Sequence, residues 1–278
     1  MHTHLAAYIL SGATDHQLGT TDQALDALTD VLLYGSGTSG FMLPEDCELI
    51  AAYANGEDLR SARIVAPSLL RVGYPAVVPA ERNPAGAFTP YDPNLMDLLR
   101  NPVKLRRGER IVAQATPRIS SSNFPAVVLL WLRSKMMPVP EGESFWLPYH
   151  VENDPTLTGW IWNLVTPTFE QTLPSGTYMV AGIDHYSVDG IAVRVASPGS
   201  ACRPGALVMG DVRGQGGGRN HEIFYGDHLG SYGVFDTDAP PTLELLLSRT
   251  RAASQDTDNG MMRVVRLGDV GLAKRFCQ

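Results

Sequence analysis

Apolar residues in this chain fall in short runs, and most runs end at Gly, Pro, Asn or Asp. The runs include ELIAAYA, ARIVAP, PAVVP, ERIVAQAT and AVVLLWL in the first half. FWLPYHV, GWIWNLV, TYMVAGI, IAVRVAS, GALVMGDV, HEIFYG, YGVFDT and MMRVVRLGDV follow in the second. Many short strands closed by turn residues predict an all-β sandwich or barrel. Two stretches carry helical spacing instead. TTDQALDALTDVLL sets Ala24, Leu25, Leu28, Val31 and Leu32 on one face behind a Thr/Asp cap, and DPNLMDLLR offers Asp92 as N-cap with Pro93 at the first helical position. The compact run PTLELLLSR cannot be assigned by periodicity alone. It shares its Pro, apolar run and Arg with PAVVLLWLRSK from Pro125, which is β-branched near its start, so both are read as strands.

The pattern is written twice. LPEDCELIAAYANGEDLRSARIVAPS (Leu43 to Ser68) is echoed by LPSGTYMVAGIDHYSVDGIAVRVASPG (Leu173 to Gly199) at a shift of 173 − 43 = 130 positions. Leu49, Ile50, Ala51 and Ala52 face Met179, Val180, Ala181 and Gly182. Arg63 and Pro67 then meet Arg194 and Pro198 at 131, and Arg71 and Gly73 meet Arg203 and Gly205 at 132. Further on, Pro125 and Arg133 align with Pro241 and Arg249 at 116, which makes AERNPAGAFTPYDPNLMDLLRNP an extra loop of the first copy. A period near 130 is that of whole domains rather than solenoid repeats. The connector SKMMPVPEGES (Ser134 to Ser144), with two prolines two residues apart, is the natural cut, giving domains 1–136 and 137–278.

Composition narrows the partners. The chain has 278 residues, enough for one large or two ordinary domains, with 27 Gly and 20 Pro spread throughout as many turns require. A net charge of −7 opposes broad contact with a phosphate backbone. The densest basic stretch, Lys104, Arg106, Arg107 and Arg110, reads as a solvated turn before a strand, although it could touch phosphate locally. Cys47, Cys202 and Cys277 are odd in number and far apart, so they predict neither a disulfide framework nor a zinc site. No basic leader opens the chain and no apolar run reaches the roughly 18 residues of a spanning helix, so a soluble, unsecreted protein is expected.

Two similar β-units, a Pro-rich connector, loop elaboration between strands and the RPG turn at Arg203 to Gly205 resemble the double jelly-roll major capsid proteins of tailless icosahedral viruses, of the bacteriophage type. The resemblance spans about Gly35 to Gly268 and rests on architecture. It implies two tandem jelly-roll β-sandwiches with a few short helices in loops, standing side by side. It also implies homotrimers of pseudo-hexagonal outline that tile an icosahedral shell. Implied partners are neighbouring capsomers, penton or minor capsid proteins, and an internal membrane or the genome; no small-molecule substrate is implied. The protein would be made in the host cytoplasm and reside in the virion. NPAGAFTPYDPNLMDLL is then a candidate surface tower or intersubunit clamp. The ends, Met1 to Thr21 and GLAKRFCQ, are either arms bridging neighbours or frayed termini.

Local motifs offer little catalytic chemistry. GDVRGQGGGRN (Gly210 to Asn220) lacks the Lys-Ser/Thr and the strand-to-helix setting of a phosphate loop and reads as a hairpin loop. A metal-dependent bicupin would also be a duplicated β-fold, with His150, Glu152, His185, His221, Glu222 and His228 as its available ligands. They lack the clustered spacing such a site needs, and the H-x-H of MHTH lies at a terminus; only His150 and Glu152, at i and i+2, would share a strand face. Ser120 to Asn123 read as turn residues. Asp236 and Asp238 flank and solvate a Pro-Pro turn. Asp256, Asp258 and Asn259 form an Asx-rich turn without the Glu of a calcium loop. Trp160 and Trp162, at alternate positions of one strand, could stack on a sugar in a two-domain carbohydrate-binding protein, or serve as core. The expectation is therefore a structural protein, not an enzyme, with no catalytic, cofactor-binding or metal-binding residues.

Overall fold

The computed structural model of the chain describes residues 3–11, 23–57, 59–71, 76–83, 96–117, 125–134, 139–152, 156–187, 189–208, 233–252 and 258–273. It is all-β, with several antiparallel sheets and one short helix among the described residues. The chain divides into two compact units, Leu5–Ser134 and Lys135–Gln278, the latter with His2–His4. The division falls at the head of the Pro-rich connector.

The first unit contains β1 (Thr3–Ser11), β2 (Gln23–Ala24), β3 (Asp26–Ala27), β4 (Phe41–Met42), β5 (Cys47–Glu57), β6 (Leu59–Val65) and β7 (Ala76–Asn83). It continues with β8 (Met96–Asp97), β9 (Val103–Leu105), β10 (Arg110–Pro117) and β11 (Pro125–Arg133). The helix α1 (Pro67–Arg71) begins at a proline, whose fixed φ suits a first helical turn. The sheet runs β2-β10-β6-β7-β5-β11-β1-β3, with β4 on β10 and with β8 and β9 on β5. Period-two alternation builds its core: Leu49, Ala52 and Ala54 of β5 meet Val128, Leu130 and Leu132 of β11, and Ile64 of β6 meets Ile111 and Ala113 of β10. Each fully buried Leu, Ile or Val contributes roughly 1.5–3 kcal/mol. Seven consecutive residues of β11 are buried, which is why AVVLLWL shows no alternation.

The second unit contains β12 (Ser144–Val151), β13 (Trp162–Val165), β14 (Thr168–Phe169), β15 (Thr177–Tyr186) and β16 (Gly190–Ala196). It ends with β17 (Gly205–Leu207), β18 (Val234–Asp236), β19 (Thr242–Leu247) and β20 (Asp258–Gly268). One sheet runs β14-β12-β20-β15-β18 and the other β13-β19-β16-β17, the arrangement of the β-sandwich class. Leu243 and Leu245 of β19 lie opposite Val195 and Val193 of β16, and all four are buried.

The two units repeat one strand order. With the two-residue β14 set aside, the strands of the second unit number one to eight and give sheets 1-8-3-6 and 2-7-4-5. In the first unit, β1, β2, β5, β6, β7, β9, β10 and β11 taken as one to eight reproduce all six neighbour relations. Even the short extra strand recurs, because β3 pairs with β1 as β14 pairs with β12. The first unit differs in that β7 also runs parallel to β5, which joins its two halves into one continuous sheet.

This order corrects part of the repeat read from sequence. Arg63 faces Gln114 of β10, and Arg194 faces Glu244 of β19, so these strands are counterparts at 244 − 114 = 130. The Pro125 strand is the eighth of its unit and corresponds to β20, not to PTLELLLSR, so the shift of 116 does not hold. A proline, an apolar run and an arginine mark many buried strands and misled the alignment. The long connection is likewise no peculiarity of the first copy. Residues 84–102 and 208–233 both link a fifth strand to a sixth.

Neither predicted helix is present among the described residues. β2 and β3 lie within the first; Leu25 donates to the Ala113 carbonyl and Leu28 to that of Ala7, so their backbone partners are strands rather than the preceding turn. Asp30 accepts the N–H groups of Leu32 and Leu33, closing a turn there. Tertiary pairing overrides a weak helical pattern. In the second stretch, Met96 and Asp97 pair with Ala52 and Ala51 of β5, while Asp92 and Pro93 lie outside the described residues. At the N-terminus, residues 3–11 form neither arm nor frayed end but the buried strand β1 between β11 and β3.

Gly40 makes the first unit's geometry testable. Its φ is 74°, and a Cβ would lie 2.1 Å from the Ile111 carbonyl oxygen of β10. Backbone strain and the clash act together, so Gly40→Ala is expected to cost about 2–4 kcal/mol. A urea-unfolding series on the variant measures this loss; an unchanged midpoint would contradict the close approach.

Candidate functional site

The second unit holds a buried ionic cluster at the end where its third strand turns into its fourth and its seventh into its eighth. His185 near the end of β15 is 0% exposed, Asp258 at the start of β20 is 1% exposed, and Arg251 between β19 and β20 is 3% exposed. The Arg251 guanidinium grips Asp258 with two donors, at 2.8 and 2.9 Å, and reaches the Ser187 hydroxyl at 2.7 Å. Such forked pairing matches the guanidinium plane to the carboxylate. Asp189 takes Arg249 Nε at 2.7 Å and stands 3.9 Å from Arg251 Nε. His185 presents Nε2 to Asp258 at 3.6 Å and Nδ1 to the Tyr149 hydroxyl at 3.0 Å.

Backbone contacts extend the cluster to a third connection. Arg251 and Leu157 exchange backbone hydrogen bonds, so the segment after β12 is tied to the one before β20. Tyr149 stacks on His185 and donates to the Asp184 carbonyl. Gly260 is required beneath it, because a Cβ there would meet the Tyr149 ring at 2.3 Å. Burial alone would raise the Asp258 carboxyl, but the hydrogen bonds and charges of His185 and Arg251 outweigh it and hold the group below its ordinary range.

The first unit shows what this fold places there when no cluster is built. Counted from the bulged residues Ile50 and Ala181, His185 occupies the position of Ala54, and Asp258, two residues before Gly260, that of Ala126, two before Val128. Both alanines are fully buried. The strand order therefore does not need charge at these positions. A buried ion cluster carries a desolvation cost that a packed apolar pair avoids, so its presence in one copy alone marks it as a feature of that copy's connections.

A second ionic group lies on β16 and β19. Arg194, 1% exposed, donates from Nε to Glu244 at 2.7 Å, Arg203 donates to the other Glu244 oxygen at 3.2 Å, and the Arg194 guanidinium lies 3.9 Å from the centre of the Trp162 ring. Arg203 also holds the carbonyls of Ser200 and Cys202, fixing the RPG turn. Trp162 is thus covered by a cation, and Trp160 stands in a turn with φ 63° rather than on the same strand. Trp160 and Trp162 therefore do not share a strand face, as the alternative of a two-tryptophan platform would need.

The remaining candidates scatter. His150 and Glu152 approach to 3.8 Å, with side chains 28% and 76% exposed, outside the sheet interior. Among the described residues no group of three or more His, Cys, Asp or Glu is placed to hold a metal ion. Gly210 to Asn220, Ser120 to Asn123, His221, Glu222, His228, Asp256 and Cys277 lie outside the described residues. Asp258 and Asn259 begin a strand instead of completing a turn. Asp236 does not solvate the Pro-Pro turn: it is buried, and it accepts the Thr177 hydroxyl and the Gly271 N–H. Through Thr177 it also fixes Leu272, and Ala273 packs on Met179 and Val234, so residues 271–273 of GLAKRFCQ are docked. Burial pushes the Cys47 thiol up to about 12, which keeps it protonated and unreactive.

The basic turn is where the sequence placed it. Arg106 and Arg107 sit between β9 and β10, closed by Gly108 at φ 76° and by the Glu109 N–H donating to the Arg106 carbonyl. Among the described residues no helix is long and apolar enough to cross a membrane. The chain is thus an all-β protein of two like-ordered units with buried ionic cores in the second. No family model, no curated protein and no solved structure matches it.

Proposed function

We propose that the chain is a virion structural protein, a double jelly-roll major capsid protein whose homotrimers tile an icosahedral shell. One observation carries this reading: the 1-8-3-6 and 2-7-4-5 strand order recurs in both units with all six neighbour relations. Eight strands in two Greek keys are the pattern of the jelly roll. Two such units per chain and three chains per ring give six similar faces, which tile a lattice with few kinds of contact.

Function in this reading lies in faces between copies, and no residue is given a catalytic role. The partners are further copies of the chain, then neighbouring capsomers and the penton or minor capsid proteins that close a shell. The test is the mass of the purified protein in solution together with its metal content. A trimer free of stoichiometric metal supports the reading. A metal-loaded monomer or dimer overturns it in favour of a duplicated metalloenzyme.

A further inference from the structure

Two surfaces of this chain are complementary. On the outer face of the five-stranded sheet, Trp146 and Pro148 alternate with the buried Leu147 and Tyr149, and register sets Pro148 opposite Met261 and Trp146 opposite Arg263. Trp146 is 46% and Met261 37% exposed, a large apolar area for a solvent-facing strand pair. Exposed carboxylates flank the end of this face, and Arg263 stands on the face itself. Glu141 and Glu143 are exposed just before β12, and exposed Glu170 donates its N–H to the Pro148 carbonyl. None of these three is in an ion pair among the described residues.

The first unit carries the opposite surface. Lys104, Arg106, Arg107 and Arg110 are all exposed around the turn between β9 and β10. Acids beside the turn are engaged: Glu109 is buried on Ser68, Asp46 accepts the backbone N–H of Arg107, and Glu48, opposite Lys104, pairs with Arg133. Beside the turn, Met42 lies opposite Arg110 and Tyr34 bridges to Met42, both exposed. In a chain of net charge −7 this is a cationic ridge with an apolar flank.

We infer that the cationic ridge of one copy docks on the Trp146 face of the next, closing a ring head to tail. The inference rests on the trimer reading above and names its contact. A contact between two different surfaces of one chain is heterologous, and three such contacts close when the rotation is 120°. Both surfaces lie at the same end of their units, where the first strand begins and the sixth strand turns into the seventh. Opposed charge steers and registers the contact, while the tryptophan supplies the apolar anchor.

Charge exchange tests this. R106E/R107E and E141K/E143K are each expected to weaken the trimer at least about ten-fold by sedimentation equilibrium, and the four-substitution chain to regain it. All positions are exposed, and circular dichroism verifies that each variant folds. If both double variants stay as trimeric as the parent, or the combined variant stays dissociated, the ridge and face are not the contact. If the parent chain is itself monomeric at tens of micromolar, the trimer reading falls along with the contact.

Discussion

Asp258→Ala is expected to destabilise the second unit by about 3–5 kcal/mol at neutral pH, because it strands a buried guanidinium. Arg251 is 3% exposed and gives two of its donors to that carboxylate, so removal leaves a cation with Ser187 and a distant Asp189. The pH dependence has a definite sign. A carboxyl held below its ordinary value contributes stability that is complete above the unfolded value of roughly 4. That contribution is lost as pH falls through the depressed folded value. Denaturant unfolding of the parent and the variant should therefore differ most at pH 7, and the difference should shrink as pH falls below about 4. Parallel curves at every pH would show that the Asp258 charge contributes nothing. The combined variant H185A/D258A/R251L is expected to recover most of the loss, since the first unit folds with Ala54 and Ala126 at the equivalent places.

Glu244→Leu is the second large effect, at about 3–5 kcal/mol. One carboxylate neutralises two guanidinium groups, Arg194 at 1% exposure and Arg203, and its loss leaves them facing each other inside the unit. The Trp162 ring offers Arg194 only a partial substitute, roughly 1–2 kcal/mol for a desolvated cation over an aromatic face. Thermal unfolding of Glu244→Leu and Glu244→Gln separates the contributions. The glutamine keeps one acceptor oxygen, enough for one of the two guanidinium groups, and loses the charge, so it should fall between parent and leucine. In the first unit Gln114 already stands opposite Arg63, which shows the neutral arrangement within the same strand order. A Glu244→Leu chain as stable as the parent would mean that the pair is neutral for folding.

How far the sequence reached follows from the range of each signal. Alternation is local, so twelve of the thirteen quoted strand runs coincide wholly or in part with strands, while HEIFYG lies outside the described residues. The Leu43 and Leu173 echo was legible because the third and fourth strands follow each other closely, although the bulges set Ile50, not Ala51, against Ala181. Beyond them the shift of 116 went astray, since similarity of composition does not record which neighbour a strand takes. HLAAYIL is closed by Ser11 and Gly12 but has no turn residue before it, yet it is the first strand of its unit. The ionic cluster was invisible for a different reason. Tyr149, His185, Arg251 and Asp258 are scattered over more than a hundred positions, and only the register of β12 and β15 on β20 brings them together. At the shift of 130 His185 stands against Asn55, and only the bulge register sets it at Ala54, where the first copy is apolar.

The most direct test of the central claim is the image of the assembled protein by electron cryomicroscopy. The account predicts three chains about a threefold axis with six upright β-barrels of similar outline, tiling sheets or shells. Single two-lobed particles at every concentration, or rings whose outline lacks pseudo-sixfold symmetry, would contradict it.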